Sequence, residues 1–522
     1  MKRRRVIIEL ALLVLAGLLA LVSLRREPCF LAHTVRMALP FVMIFFGVRV
    51  LYSRYPKTTC ETVVSMIELT GMIEAMIGGW QWIRRLWTGM GVVAGTFANS
   101  GPYGGFLALT FAVAFCHIIR YRRAGILSRV RFGIALTAGI TSLIMLSVSL
   151  SRAGWIAAGV AAGAYLMQSI RSKGKGKTAL LYLIPAVALV LVTLSLLLLK
   201  RESALGRFHI WEMETRVMLA HPLGVGIGNE LGAYGDMQAS FFSAAPRSPL
   251  RVRIAGCPEY AFNEYLKMGM QGGIACCFLA ILLAVLTVVQ LNRRAPELGC
   301  GMMALAVFAA ASYPLDSGIF QASLAVFLAV ASAGTGGREV PDRVLLAISV
   351  VVVICTGGYR LKVREAEKML RSHRYSKMGL SYQGMSGELA PYYPLLSHDY
   401  RYLYEYGYAL HKESGFAESN RILSEGAAIS SDPMFHNVMG LNYQRMQEFD
   451  KAEAEFLRAR DMVPDRIIPV YFLMLLYREH GRERDAREMA RKIAAAPVNP
   501  KNETMVQIKE RVLGMEKNRV NP

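Results

Sequence analysis

Two arginines lie where the neighbouring residues are apolar or small. Arg152 is flanked by small residues and lies between two long apolar runs, and Arg207 precedes the aromatic residues Phe208 and Trp211. A guanidinium group is always charged and can bind phosphate oxygens through two parallel hydrogen bonds, so both arginines are candidates for holding an anionic group. Arg152 has an alternative role, because an arginine at a membrane interface can extend its charged end into water.

Further polar residues border other apolar runs. His221 begins a glycine-rich segment that lacks the preceding strand and the spacing of a phosphate-binding loop. Asn263, Glu264 and Tyr265 stand at the start of a long apolar run, where an amide and a carboxylate are costly unless they meet water, partners or a substrate. Asn99 lies in a glycine-rich entry to an earlier run, which is typical of irregular backbone lining a cavity.

The elements that carry these residues follow from composition. Of 522 residues, 54% are hydrophobic and 19% are charged, whereas soluble proteins have roughly 25% charged residues. Apolar runs and short basic clusters fill residues 1–358, and charge is spread evenly over 359–522. We therefore predict an all-α protein with a polytopic membrane domain at 1–358, including an external loop at 200–261, and a soluble helical domain at 359–522.

Each long apolar run is predicted to be a membrane-spanning helix, because lipid offers backbone groups no hydrogen-bond partner. About eleven spans result. They lie near residues 6–24, 35–52, 62–79, 102–119, 133–150, 154–170, 179–199, 263–290, 299–314, 319–334 and 343–358. The first is interpreted as an uncleaved signal anchor.

The short loops predict an orientation. Basic residues concentrate in loops 120–132 and 171–177 and at Arg293 and Arg294. A cytoplasmic N-terminus puts all three clusters in the cytoplasm, and it puts loop 200–261 and the C-terminal domain outside. The net charge of +22 therefore favours membrane topology over nucleic acid binding. The external loop is itself basic, either as a tolerated long loop or as an anion-binding surface.

The C-terminal domain contains an internal repeat. From about Asp399 the sequence is self-similar at a spacing of 33–34 residues, with Gly415, Glu448 and Gly481 predicted to lie in the turns between paired helices. This pattern resembles the tetratricopeptide repeat, with about three units. Such repeats form concave surfaces that bind peptides or partner proteins, and the alternative is a structural cap without a ligand.

Taken in chain order, the segments of residues 60–335 resemble the O-antigen ligase and polymerase superfamily of bacterial membrane glycosyltransferases. Repeats of the tetratricopeptide type outside the membrane also occur in this family. The matching segments are E-A-x-x-G-x-x-Q at 74–81, G-T-F-x-N at 95–99, Ser151-Arg152 at a helix start, Arg207 with Ile210-Trp211, H-P-L-G-x-G at 221–226 and N-E-Y-L at 263–266.

The resemblance implies glycosyl transfer without a metal or cofactor at the outer face of the bacterial inner membrane. The donor would be a glycan on undecaprenyl diphosphate, and the acceptor would be lipid A core, another glycan or a protein. Arg152 and Arg207 match the family's diphosphate-binding arginines. The site would be shaped by Asn99, Trp211, Asn263 and Tyr265.

One position departs from the family pattern. Where many members have a histidine thought to activate the acceptor hydroxyl, this chain has Phe262, which cannot accept a proton. Either another group is the base, with Glu259, Glu264, His209 and His221 as candidates, or the transfer relies on electrostatics and positioning. This departure favours a polymerase slightly over a ligase.

Two other classes of function remain open. A non-catalytic scaffold would recruit envelope-assembly proteins through its repeats. A transporter of lipid-linked glycan would need charge deep in its spans, where the sequence offers little beyond Glu68, Glu74 and Asp316.

Overall fold

The computed structural model describes residues 2–26, 28–121, 126–173, 201–244, 248–334, 357–372, 384–497 and 503–520. These residues form helices joined by turns and contain no strand, which agrees with the predicted all-α class. The predicted span at 179–199 lies outside the described residues, as does the span at 343–358 except for its last two residues.

The helices of the N-terminal and middle parts are α1 Lys2–Arg26, α2 Pro28–Arg54, α3 Pro56–Thr88, α4 Ser100–Arg120, α5 Ile126–Ser149, α6 Arg152–Lys173, α7 Arg201–Ala220, α8 Glu230–Ala244, α9 Pro249–Ile254, α10 Glu264–Gly272, α11 Ile274–Arg294, α12 Pro296–Ala309 and α13 Gly318–Ser332. The C-terminal helices are α14 at 357–372, α15 Met385–Leu389, α16 Tyr393–Leu396, α17 Tyr400–Lys412, α18 Phe416–Ala428, α19 Met434–Arg445, α20 Phe449–Met462, α21 Ile467–Glu479, α22 Glu483–Ala495 and α23 Glu503–Val520.

The chain divides into two compact units, each built from separate stretches of sequence. The first unit contains Met1–Val22, Thr34–Ala204 and Ala261–Thr356. The second contains Ser23–His33, Leu205–Tyr260 and Gly357–Pro522. The segment 205–260 therefore groups with the C-terminal helices.

Helix α4 forms the centre of the first unit. It packs against α3, α5, α6 and α12, and one side of it is buried in a cluster of aromatic rings. Phe106 and Phe320 pack edge to face with centroids 5.8 Å apart, and Phe308 stacks on Phe320 at the same distance. Burying three such large side chains contributes strongly to the stability of this unit.

Five described helices are long and apolar enough to cross a membrane. They are Val6–Leu24 within α1, Pro56–Thr88, Ser100–Arg120, Ile126–Ser149 and Ile274–Arg294. Helices α12 and α13 are apolar but shorter. The length and composition of these helices are those of a helical membrane protein.

The apolar run predicted as one span at 263–290 is divided into two helices. Helix α10 ends at Gly272, and α11 begins at Ile274. Gly273 between them has φ +89°, a conformation that ends a helix and that glycine adopts at little cost. The polar residues at the start of this run therefore lie on a short helix of their own.

The second unit contains three pairs of helices. The first helices of the pairs begin at residues 400, 434 and 467, and the second at 416, 449 and 483. Helix α8 packs against α18 and α20 from these pairs. The approach is close, because a β-carbon added to Gly232 would lie 2.0 Å from the carbonyl oxygen of Ala428.

The turns inside the three pairs share one geometry. Ser414, Gln447 and Gly481 all have φ between +62° and +69°. The next residue of each turn donates its N–H to a carbonyl five residues earlier, at 2.8–2.9 Å, which is the Schellman type of helix end. Gly481 is thus equivalent to Ser414 and Gln447, whereas the sequence alignment paired it with Gly415 and Glu448.

This turn geometry predicts that Ser414→Gly and Gln447→Gly stabilise the second unit. Left-handed backbone raises the free energy of an L-residue by roughly 1–2 kcal/mol, and glycine removes this strain. Part of the gain in stability is lost, because glycine increases the conformational entropy of the unfolded chain. We expect a net gain of about 0.5–1 kcal/mol per substitution, seen as roughly 2- to 5-fold slower amide hydrogen exchange in α17–α20 of the full-length protein in detergent. Gly481→Ala is the converse control, because it places an L-residue in left-handed backbone. It should make amide exchange in α21 faster. Unchanged or faster exchange in the glycine variants would contradict the prediction.

Candidate functional site

Asn99 connects two parts of the first unit. Its side-chain oxygen accepts the N–H of Gly101 at 3.0 Å and so caps α4. Its side-chain nitrogen donates to the hydroxyl of Tyr313. Tyr313 also packs its ring edge to face against Phe262, with centroids 5.4 Å apart. Asn99 therefore links the start of α4 to the residues that precede α10 and α13.

Arg152 is the first residue of α6 and is partly buried. The chain turns sharply before it, because Leu150 has φ +53°. The hydroxyl of Ser151 then donates to the carbonyl of Gly101 at 3.2 Å. This bond fixes the start of α6 beside the start of α4. The Arg152 backbone is thus held close to the helix that Asn99 caps.

The crossing of α4 and α6 depends on two glycines. A β-carbon on Gly154 would lie 2.7 Å from the carbonyl oxygen of Gly104. A β-carbon on Gly104 would lie 2.3 Å from that of Ser151. Small residues at such a crossing let helix backbones approach closely in membranes. Backbone contact at this crossing therefore helps to set the position of Arg152.

Asn263, Glu264 and Tyr265 have separate roles at the start of α10. Asn263 caps the helix by accepting the N–H groups of Tyr265 and Leu266 at 3.0 and 3.2 Å. The Glu264 side chain is buried and accepts the N–H of Leu315 at 2.7 Å. The Tyr265 hydroxyl donates to the carbonyl of Ala306 at 2.9 Å. All three side chains hold backbone in place.

Residues 313–316 belong to this region, and the sequence analysis missed most of them as site residues. Tyr313 bonds Asn99, Leu315 bonds Glu264, and Asp316 pairs with Lys267 at 2.6 Å. The only sign of this region in the sequence is a tyrosine, a proline and an aspartate between two apolar runs. Lys267 adds a half-buried cation one turn into α10.

Two side chains of the E-A-x-x-G-x-x-Q segment on α3 bind the backbone of the loop that precedes Asn99. The carboxylate of Glu74 accepts the N–H of Thr96 at 2.9 Å. Gln81 accepts the N–H groups of Ala94 and Gly95 at 2.9 and 2.8 Å. Both side chains therefore hold the loop that leads into the Asn99 cap. This explains the spacing of seven residues between them, which puts both on one face of α3.

Arg207, His209 and Trp211 lie on α7 in the second unit. Arg207 is partly buried, and the ring of Trp211 meets that of Phe208 edge to face at 5.4 Å. His209 is only 3% exposed, and its Nε2 is paired with the side-chain oxygen of Gln238 at 3.0 Å. Enclosure of this imidazole makes His209 unsuitable for activating an acceptor from solution.

His221 lies at the end of α7 and is exposed. The glycine-rich loop after it contains Gly224, Gly226 and Gly228 with φ between +87° and +93°. Only glycine adopts this repeated conformation without strain. His221 and Asn229, from the two ends of the loop, line a cavity of about 510 Å³. His221, one of the four candidate bases, therefore borders an open space.

Glu259 is an exposed carboxylate of the second unit. It accepts a hydrogen bond from Arg401 at 3.0 Å, and Arg401 also lies over the ring of Tyr400. The sequence analysis did not foresee this pairing, because the partner is 142 residues away. An exposed ion pair of this kind contributes little to stability, but it engages the Glu259 carboxylate.

The structure brings Asn99, Asn263, Glu264, Tyr265 and the start of α6 with Arg152 into one network of the first unit. It places Arg207, Trp211, His221 and Glu259 in the second unit. Among the residues that the structure describes, no group of three or more histidine, cysteine, aspartate or glutamate side chains could hold a metal ion.

Three histidines of the second unit, His209, His398 and His411, have a pKa lowered by burial, which predicts that acid destabilises this unit. Burial lowers the pKa of His398 to about 4 and also lowers the pKa of His209. The unfolded chain takes up protons near pH 6.5, but the folded unit does so only at lower pH. Stability is therefore full above about pH 6.5 and is lost as the pH falls toward 4, on the order of 3 kcal/mol for His398.

Hydrogen exchange of the full-length protein between pH 7.5 and pH 5, corrected for intrinsic rates, measures this loss. His398→Gln should flatten the dependence in α17, and exposed His480→Gln should leave it unchanged. Protection of α17 that does not vary with pH in the wild type would contradict the expectation.

Residues 137–281 match the family model of the O-antigen ligase. No curated protein matches the chain. The matched segment runs from α5 into α11 and contains every candidate site residue except Asn99. Together with the apolar helices, it supports the O-antigen ligase superfamily for this part of the chain and a multi-pass membrane protein with glycosyltransferase-like activity.

Proposed function

We propose, from the match at residues 137–281, that the protein transfers or polymerises a glycan carried on undecaprenyl diphosphate. The product would be O-antigen or another surface polysaccharide. The observation that carries this proposal is the match itself, because it includes Arg152, Arg207 and His221 in a chain with several apolar helices. Lipid A core, a growing glycan or a protein would be the acceptor.

The chemistry needs stabilisation of a leaving diphosphate. An acceptor oxygen attacks the anomeric carbon, and the bond from that carbon to the phosphate oxygen breaks. The electron pair leaves with the lipid diphosphate, whose charge rises. Arg152 at the first position of α6 adds a guanidinium to the partial positive charge of a helix start, and Arg207 provides a second guanidinium.

His221 is the best candidate for the group that takes the proton of the acceptor hydroxyl. Imidazole can accept a proton near neutral pH. His221 is exposed and borders a cavity, whereas Glu264 is buried against Leu315 and Glu259 is paired with Arg401. His209 is enclosed beside Gln238. We assign the role that Phe262 cannot fill to His221.

The proposed location is the bacterial inner membrane. The N-terminus would lie in the cytoplasm, and the segment 205–260 and the C-terminal helices would lie outside, where lipid-linked glycans are used. The three helix pairs would be repeats of the tetratricopeptide type that hold a protein partner or cap the unit.

Transport of a lipid-linked glycan is a less favoured function for this protein. The three carboxylates that a transport path could use have local partners: Glu68 is paired with His117 at 2.8 Å, Glu74 holds Thr96, and Asp316 is paired with Lys267. One buried oxygen of Glu68 has no partner among the described residues. A translocation path needs polar groups that face a cavity. The glycan-ladder experiment described next distinguishes a non-catalytic scaffold from an enzyme.

The test is the glycan ladder of a deletion strain carrying either an empty vector or the wild-type protein. Loss of long chains while single repeat units persist on the acceptor in the deletion strain would identify a polymerase. Loss of all glycan from the acceptor, with lipid-linked polymer accumulating, would identify a ligase. An identical ladder with and without the protein would overturn the catalytic proposal and leave the scaffold.

A further inference from the structure

Two cavities of the second unit meet at helix α8. One, of about 510 Å³, is lined by His221 and Ser240, and the other, of about 550 Å³, by Asn420 and Ser424. Asp236 and Ala428 line both. The two cavities are therefore neighbours along α8, one beside the His221 loop and the other on the helix pairs. We call this pair of cavities the α8 cleft.

The charged side chains that line the α8 cleft are balanced in number, Asp236 and Glu455 against Arg421 and Arg458. Asp236 is paired with Arg458, and Glu455 is paired with His436 at 2.6 Å. Arg421 is held by Glu418 and Glu425, at 2.7 and 2.6 Å. A site for a phosphate or an acidic chain would present uncompensated cations. The pairing in this cleft instead suits a ligand without net charge.

The polar side chains of the lining also offer hydrogen-bonding groups in fixed positions. The carboxylate of Asp236, the guanidinium of Arg458 and the amide of Asn420 are flat groups that can bond two neighbouring hydroxyls at once. Asn420 is 9% exposed, and its oxygen is anchored by Asn442 at 2.8 Å. The ring of Tyr443 adds an apolar surface with a polar edge.

One buried side chain points to a polar ligand. His436 lines the cleft and is 4% exposed. Its Nδ1 is bonded to Glu455, and its Nε2 has no partner among the residues that the structure describes. This nitrogen is able to bond a hydroxyl in the cleft.

We propose that the α8 cleft binds a neutral oligosaccharide, as the part of the glycan that extends beyond the reacting sugar. A cavity of this size accommodates small ligands with most of their surface buried. Because the cleft starts at His221, the inference rests on the proposed function and deepens it. The helix pairs thereby hold the polymer itself and are not only a surface for a protein partner.

The experiment uses the full-length protein in lipid nanodiscs. The probe is a set of short oligosaccharides, cut from the surface polysaccharide of the source strain and freed of lipid, with binding measured by saturation-transfer NMR. Ser240→Trp and Ser424→Trp each fill one cavity from an exposed position. Each should weaken binding roughly tenfold or more. Ser243→Trp, one turn along α8 and outside both cavities, is the matched control.

Arg458→Gln gives a second variant that adds no bulk. It removes the pair with Asp236 and should also weaken binding, whereas inorganic pyrophosphate should not displace the oligosaccharide. Equal binding by the wild type and both tryptophan variants overturns the inference, as does displacement by pyrophosphate or no binding by the wild type.

Failure of the cleft and failure of the function are distinguishable. Glycan transfer by the wild type, with binding unaffected in the variants, overturns the α8 cleft and leaves the enzyme. Oligosaccharide binding that the variants weaken, with no glycan transfer by the wild type, supports the cleft and overturns the enzyme.

Discussion

Arg207→Ala is expected to lower glycan transfer by about 10²–10³-fold, without lowering the amount of protein in the membrane. Removing one preorganised group that stabilises developing negative charge has this magnitude in other enzymes. Arg207 is only partly buried, so alanine leaves no large cavity. The measurement is the rate of glycan transfer by purified variants, together with the ladder of the complemented deletion strain.

The matched control for Arg207 is Arg216 on the same helix. Arg216 is 49% exposed and is paired with Glu212 at 3.1 Å, so Arg216→Ala should change the rate by less than about twofold. Arg207→Lys should give an intermediate rate, because lysine keeps the charge and loses the two parallel bonds. A wild-type rate in Arg207→Ala would remove this arginine from the mechanism.

Gly154→Ala is expected to reduce glycan transfer about tenfold or more, although it adds only one methyl group and removes no polar atom. The added carbon would lie 2.7 Å from the carbonyl oxygen of Gly104, so α4 and α6 must separate. Arg152 is at the start of α6, and small displacements of a positioning group are costly in rate. Overpacking of this kind also costs typically about 1–3 kcal/mol in stability.

Gly163→Ala provides the control for Gly154. It lies in α6 as well, but a β-carbon there would have nothing within 4 Å. We expect unchanged transfer and equal or higher thermal stability, because alanine is favoured over glycine in a helix by about 0.5–1 kcal/mol. Equal rates for Gly154→Ala and Gly163→Ala would mean that the α4–α6 crossing does not position the site.

The local features of the site were accessible from sequence. Asn263 is costly inside an apolar run, and in the structure it caps a helix that begins there. Ser151 and Arg152 lie at the break between two apolar runs, where α6 begins. These features depend on neighbouring residues, so composition and spacing reveal them.

Contacts between residues far apart in the chain could not be predicted from the sequence. Tyr313 meets Asn99 across 214 residues, and a tyrosine before a proline has no pattern that identifies a partner. The packing of α8 on the helix pairs also joins segments that are far apart in the sequence, so no local pattern predicts it. A repeat in the sequence reveals its own period, but it does not reveal which other segment covers its surface.

The assembly of the second unit from separate stretches has a consequence for biosynthesis. Helix α8 contacts the end of α20 through Gln238, whose side chain donates to the carbonyl of Met462. On a ribosome, α8 is complete roughly 200 residues before that partner exists, or about 10–40 s at usual elongation rates. During that interval the face of α8 that carries Gly232 and Gly235 lacks Ala428 and Met462, which lie against it in the finished protein. Helix α8 therefore stays partly uncovered until the chain has been made as far as residue 462.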